Sequence, residues 1–490
     1  MVTRSVEDIT SVDNLTSTDD IALGDEFKGL SLLNREIEST VGDTSSPKLI
    51  FDQPRTKISL DNAKLAPDTV KTATLNSQNA AVFRALEITP GQQLSSDQFS
   101  TVLQKASKVE QSSLSATSLS LAYDPFSPEL ELYFGSPDTS SQTNDPFPNL
   151  LLATAPFTPT TVPALGKDSF VNGRGSKVGF NVDLQRNQVS TPTRKATLLP
   201  GYNSVAGTEV RDIIKGNNND NILFVFGGND VIRGSGGSDV ISGGAGYDTV
   251  SYQGSGAAIT LNQFGKISKS TGGTDSLRGE ANSPLTATVE RIIGDRKQTN
   301  SINVVGAPSA IEANLEAGFL NIDSVDGGGR KGDFDIFNFN NVFGGRGDDV
   351  IKGDQKNNVL STGGIGAIAA PDNDSIDGGL GKDLIIGGSG LDTLLGGGGA
   401  DTFRLGDRSG YFYRDSSFLG TEQFATLSDF QTGVDKISLQ GTAADYVFLG
   451  SGNNNTLILR DVDKSGGFSL RDDLVANVST GFAASDVSFA

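Results

Sequence analysis

Asp or Asn returns every nine residues through the middle of this 490-residue chain, and so short a period leaves few ways to fold. Aligned on GGAGYDTVS (243–251), the preceding blocks are GSGGSDVIS (234–242), VFGGNDVIR (225–233), GNNNDNILF (216–224) and GTEVRDIIK (207–215). Their sixth residues are Asp212, Asn221, Asp230, Asp239 and Asp248, and their eighth are Ile214, Leu223, Ile232, Ile241 and Val250. A second array contains GGRGDDVIK (344–352), GDQKNNVLS (353–361), AAPDNDSID (369–377), GGLGKDLII (378–386), GGSGLDTLL (387–395) and GGGGADTFR (396–404). It places Asp349, Asn358, Asp374, Asp383, Asp392 and Asp401 at position 6. TGGIGAI (362–368) is two residues short, with Ala367 where the polar residue belongs, and an irregular turn is expected there.

Nine residues divide into a six-residue turn and a three-residue strand. The middle strand residue, position 8, is apolar and points inward, which is how so thin a strand buries anything. Glycines at positions 1, 2 and 4 permit positive φ and let successive turns approach closely. Those at positions 1 and 4 taken as candidate metal-site residues are Gly228, Gly237, Gly243, Gly246, Gly344, Gly347, Gly378, Gly381, Gly387, Gly390, Gly396 and Gly399. Two nonapeptides make one coil, so a turn stacks on the turn two repeats away. The pairs expected to share an ion are Asp212 with Asp230, Asp230 with Asp248, Asn221 with Asp239, Asp374 with Asp392, and Asp383 with Asp401.

Composition decides which ion. There is no Cys and no His, so thiolate or imidazole metal sites and His-based catalysis are excluded. A site built from oxygen selects hard cations such as calcium. The 59 acidic and 39 basic residues give a net charge of −20, which suits a cation binder and repels nucleic acid. Of the 60 glycines, 41 lie in 201–400, so the middle of the chain follows its own rule.

The blocks resemble the RTX, hemolysin-type calcium-binding repeats of consensus GGxGxDxUx, with U large and apolar; 243–251, 378–386, 387–395 and 396–404 match best. The resemblance implies a mainly β fold, a parallel β-roll binding several calcium ions between coils, and export by a type I secretion machine. It therefore implies a secreted, extracellular location, with attachment to the cell surface as a variant of it. Consistent with that route, the N-terminus has no apolar core of a signal peptide, and no stretch is long and apolar enough to span a membrane.

Three regions are expected: an N-terminal α+β region over 1–200, the β-roll over 201–404, and a C-terminal β cap over 405–490. Within the roll, calcium arrays at 207–251 and 344–404 flank a calcium-poor spacer at 252–334. The spacer is read as calcium-free coils, in which TVERIIGDRKQTNSINVVG (288–306) resembles a repeat that has lost its Asp; a separate inserted domain is the alternative. LSDFQTGVDKISLQG (427–441) resembles the capping segment of serralysin-type secreted proteins, and the ending ASDVSFA resembles a type I export signal. DVDKSGGFSLRD (461–472) spaces oxygens as an EF-hand loop does, with Asp461 and Asp463 as candidate ligands, but its strand-like flanks favour a plain hairpin.

In the N-terminal region, SSDQFSTVLQKASKV (95–109) spaces Phe99, Val102, Leu103, Ala106 and Val109 as one helix face behind a Ser cap. Eight of the 17 prolines follow between Pro125 and Pro163. Two functions remain open. One is a non-enzymatic structural, surface or adhesion protein meeting cell-surface polysaccharide or further copies of itself. The other is an exported hydrolase whose His-free site lies in 1–200, with Glu129, Glu131 and Tyr133 as the available cluster; a solvent-facing strand edge is the plainer reading of those residues.

Overall fold

The structure is a computed structural model. It describes residues 48–52, 57–61, 83, 85–89, 91–111, 119–123, 126, 129–135, 147–148, 150–156, 169–198, 201–278, 288–327, 331–363, 372–408, 410–414, 421–450 and 455–489. Two units divide the chain, at 74/75. In the first, Lys48–Asp52 and Lys57–Asp61 pair antiparallel, with Lys48 opposite Asp61.

The second unit is built on two sheets of mainly parallel strands, each nonapeptide supplying one short strand. Ser204–Thr208, Ile222–Phe226 and Val240–Ser242 are successive rungs of one sheet. Ile213–Lys215, Val231–Arg233 and Thr249–Ser251 are rungs of the other. Leu223 lies opposite Ile241, and Ile232 opposite Val250, so each strand pairs with the one two repeats on. The second array does the same, aligning Leu360, Ile385 and Phe403 in one sheet and Ile351, Ile376 and Leu394 in the other. All these position 8 side chains are buried, and both sheets feed one continuous core. This is the parallel β-roll that the resemblance to RTX repeats implies.

The spacer carries both sheets on, but not as plain coils. In one sheet Ile259–Leu261, Lys266–Lys269 and Thr274–Leu277 form an antiparallel meander between the rungs Val240–Ser242 and Ser301–Asn303. In the other, Ile311–Asn314, Phe319–Ile322 and Gly332–Phe337 form a second meander between Arg291–Ile293 and Val350–Lys352. Local turn chemistry produces the reversals: Gly265 and Gly318 have φ of 67° and 82°, a region open to glycine, and each sits in a hairpin turn.

Pairing also runs back across residue 200. Phe170–Asn172 lies parallel to Ser204–Thr208, and Leu119–Tyr123 parallel to Phe170–Asn172. The predicted helix spans Ser96–Gln111. Ser95 Oγ accepts from the Gln98 amide at 3.3 Å while Gln98 Oε1 accepts from the Ser95 amide at 2.9 Å, a reciprocal cap. Phe99, Val102, Leu103 and Ala106 are buried as expected, and the side chain of Val109 lies outside the described residues.

At the C-terminal side, Phe424–Leu427 and Lys436–Leu439 add one rung to each sheet, and Asp473–Val478 and Val487–Phe489 add another. Tyr446–Gly450 and Thr456–Arg460 fold antiparallel against Asp473–Val478. The 461–472 segment therefore joins two strands rather than two helices. Val487–Phe489, within the ASDVSFA ending, is itself part of the ladder.

Candidate metal centres

The position 6 side chains are stacked in columns along the turns. In each column the backbone N–H of one residue donates to Oδ1 of the residue on the next coil. Asp212 donates to Asp230 at 2.6 Å and Asp230 to Asp248 at 2.8 Å. Asn221 donates to Asp239 at 2.9 Å. Asp349 donates to Asp374 at 2.8 Å and Asp374 to Asp392 at 3.1 Å. Asn358 donates to Asp383 and Asp383 to Asp401, both at 2.8 Å. Every pairing expected from the spacing is present as a direct contact. All eleven side chains are buried. Ala367, in the short block, lies outside the described residues.

One carboxylate oxygen is thereby used, and the other faces the turn. Oδ2 of Asp230, Asp248, Asp383 and Asp401 is buried without a hydrogen-bond partner. Such an atom costs roughly 1–3 kcal/mol or more when left unpaired, so four in equivalent positions ask for a cation. In three of these four repeats a position 1 glycine leaves space beside that oxygen, whereas position 1 of the Asp230 repeat is Val225. A Cβ on Gly243, Gly378 or Gly396 would lie 2.4, 2.7 or 2.7 Å from Oδ2 of Asp248, Asp383 or Asp401 in the same repeat. An oxygen-only donor set around orphaned carboxylate oxygens fits calcium.

The glycine positions divide the work differently from the expectation. Every position 4 glycine has positive φ, from 81° at Gly237 to 151° at Gly399. At position 2 it holds for Gly244, Gly379 and Gly397 but not for Gly345 or Gly388, and at position 1 for none. Gly243, Gly344, Gly378, Gly387 and Gly396 are needed instead for the space beside the carboxylate. Position 4 also carries the close stacking: a Cβ on Gly390 or Gly399 would lie 1.8 or 1.4 Å from the carbonyl oxygen of Asp372 or Gly381 on the neighbouring coil.

Electrostatics follow from burying like charges together. Burial pushes Asp230 up to about 8, with Asp248 and Asp212 adding to the rise, and Asp349 up to about 8, with Asp374 and Asp372 adding to it. It raises Asp239, Asp374 and Asp383 to about 7, and Asp212, Asp248 and Asp401 to about 6. Asp392 is raised as well, chiefly by burial.

Three column members escaped the sequence reading. The Asp239 amide donates to Asp275 Oδ1 at 2.9 Å, the Asp248 amide to Glu290 Oε2 at 2.6 Å, and the Asp401 amide to Asp435 Oδ1 at 2.9 Å. The segment 288–306 has therefore not lost its acid, because Glu290 stands in the place of Asp. Asn300 follows in the other column, where its amide nitrogen donates to the carbonyls of Asp295 and Asn338 at 2.9 and 2.7 Å.

The hairpin 461–472 brings Asp461 and Asp463 together with Asp472, their carboxylates within 4.8 Å of one another. It is the one such acidic group found among the described residues. Backbone amides of the loop already engage it: Ser465 and Gly466 donate to Asp461 at 3.0 and 2.8 Å, and Ser469 to Asp472 at 2.8 Å.

In the N-terminal region Glu131 Oε2 accepts from Tyr133 Oη at 3.0 Å and from Asn172 Nδ2 at 2.9 Å. Its strand, Glu129–Phe134, is paired on both sides and is not the strand edge expected. The side chain of Glu129 lies outside the described residues.

The RTX calcium-binding nonapeptide repeat matches this chain in four copies, over residues 215–250, 339–364 and 368–403. The chain carries repeats of this calcium-binding family, and calcium is their ion. No curated protein matches. Among solved structures, the AlgE6R2 subunit of the Azotobacter vinelandii mannuronan C5-epimerase is 22% identical; the match covers 29% of this chain and 92% of that one, with a TM-score of 0.18. The extracellular lipase LipA of Serratia marcescens is 18% identical, with 58% of this chain and 38% of that one covered and a TM-score of 0.16. At such TM-scores neither likeness bears on activity.

Proposed function

We propose that the ions sit between turns two repeats apart, and that the protein is an exported, non-enzymatic surface or matrix component which calcium folds outside the cell. The carrying observation is the set of unpartnered Oδ2 atoms on Asp230, Asp248, Asp383 and Asp401. Their columns give the remaining ligands: Asp212, Asn221 and Asp239 in the first array, and Asp349, Asn358, Asp374 and Asp392 in the second. Asp461 and Asp463, with Asp472, form a separate site of lower occupancy, since the loop amides already satisfy much of its charge. When bound, calcium supplies positive charge and roughly 6–8 coordination positions. The chain's own residues align the carboxylates through the column N–H bonds and hold space beside Oδ2 with the position 1 glycines.

Export by a type I machine suits this design. Cytosolic calcium lies far below the ~10⁻⁴–10⁻³ M at which extracellular modules fill, so the acidic chain stays threadable inside the cell. The folded product would then meet cell-surface polysaccharide or further copies of itself. The hydrolase alternative draws less support, because Glu131 is tied to Tyr133 and Asn172 within a strand paired on both sides. Fractionating cells that express truncations tests the route. Loss of about the last fifty residues should retain the protein, loss of 1–200 should not, and the reverse pattern would contradict type I export.

A further inference from the structure

One column closes on a cation that the chain supplies itself. Lys269 ends the strand Lys266–Lys269, where inward positions alternate with exposed ones, and it occupies an inward position beside Ile267. Its side chain is 1% exposed. Nζ donates to Asp275 Oδ1 at 2.5 Å and to the Ser235 carbonyl at 2.9 Å, and stands 3.8 Å from Asp239 Oδ2. Among the described residues no other ion pair has both side chains buried.

That donor set is the one an ion would use: two carboxylates from turns stacked in one column, and a carbonyl from position 2 of the 234–242 turn. The remaining Asp275 oxygen is also taken, since Tyr252 Oη donates to Oδ2 at 2.6 Å. Asp239 Oδ2 accepts from Ser235 Oγ at 3.0 Å. The neighbouring column differs, because there Oδ2 of Asp230 and Asp248 has no partner. A buried ammonium loses its hydration and needs partners to replace it, and here two carboxylates and a carbonyl surround it.

We infer that the Lys269 ammonium replaces a calcium ion between the Asp239 and Asp275 turns, so that this last step of the Asn221–Asp239–Asp275 column closes without metal. The proposal rests on the reading that the other columns hold calcium. It gives the spacer a defined role: its meander carries a fixed cation into the last turn of the first array. That end of the array is then set at calcium concentrations too low to fill the other turns.

The test counts calcium bound to the full-length chain by equilibrium dialysis at saturation, in wild type and Lys269→Ala. The variant removes the ammonium from between both carboxylates and leaves room for an ion, so it should bind one more calcium per chain. An unchanged count in a folded variant would overturn the proposal. Should the variant fail to fold, hydrogen exchange on the wild-type chain decides. The Asp239 amide, bonded to Asp275, should gain protection at lower calcium than the Asp383 amide, bonded to Asp401; a shared midpoint or the opposite order would overturn it. A wild-type chain that binds no calcium at all would remove the underlying reading, and this inference with it.

Discussion

Asp383 and Asp401 meet through one carboxylate oxygen only: the Asp383 amide donates to Asp401 Oδ1 at 2.8 Å, while Asp401 Oδ2 is buried without a partner. The same relationship joins Asp230 to Asp248 in the first array. One oxygen fixes register between coils and the other is left without a partner, so the proposed sites tie fold and metal binding to the same side chain.

Asp230 therefore has more to lose than Asn221. Asp230 lies mid-column, accepting from Asp212 and donating to Asp248, whereas Asn221 begins its column and brings no charge. Asp230→Ala should remove the ions on both sides of it, and Asn221→Ala at most one weakly held ion. Calorimetric stoichiometry compares the two, and equal losses would mean that the columns do not share ions as described.

Glycine substitutions should separate stacking from ligation. Gly399→Ala forces a Cβ onto the Gly381 carbonyl from a φ of 151°, at a cost of roughly 1–3 kcal/mol in backbone strain before any clash. Its melting temperature should fall even at saturating calcium. Gly467→Ala, where a Cβ meets open space, should stay within about 0.5 kcal/mol of wild type. Similar melting temperatures for the two variants would contradict the close coil contact.

The pH dependence has a definite sign. Asp230 and Asp349 at about 8, and Asp239, Asp374 and Asp383 at about 7, all lie above their ordinary value of 3.8. The folded metal-free chain thus holds more protons than the unfolded one. The contribution of these groups to stability is present at low pH and is lost as pH rises through the raised values. From about pH 5 upward the metal-free melting temperature should fall until the chain in chelator is unfolded near neutrality, and at the acid end, where the metal-free fold persists, calcium binding should release protons. Melting curves in chelator, and calorimetry in buffers of different ionisation enthalpy, check both. A metal-free melting temperature that climbs over this range would contradict the raised values.

How much of this the sequence carried depended on whether the period survived. Position 8 and the column partners were legible because strand and turn keep a fixed length, so Ile232 finds Val250 and Asp230 finds Asp248 by counting. Asp275, Glu290 and Asp435 were not, because a meander or a longer loop precedes each and changes the count. Their signal was weaker: an acid shortly before an apolar strand, as Glu290 precedes Arg291–Ile293. Lys269 left a trace as well, a lysine on the inward side of an alternating strand. The glycine roles were misjudged at position 1, since sequence marks the need for glycine but not whether φ or space demands it.

Calcium should fold the roll. Without it the orphaned, like-charged carboxylates and the lost chain entropy of a Gly-rich solenoid oppose a core only one side chain deep per strand, so binding energy becomes folding energy. Far-ultraviolet circular dichroism of the full-length chain near neutral pH, first in chelator and then with calcium restored, measures this directly. Most of the β signal should be missing in chelator and should return cooperatively on calcium addition. A full β signal in chelator, unchanged by calcium, would contradict it.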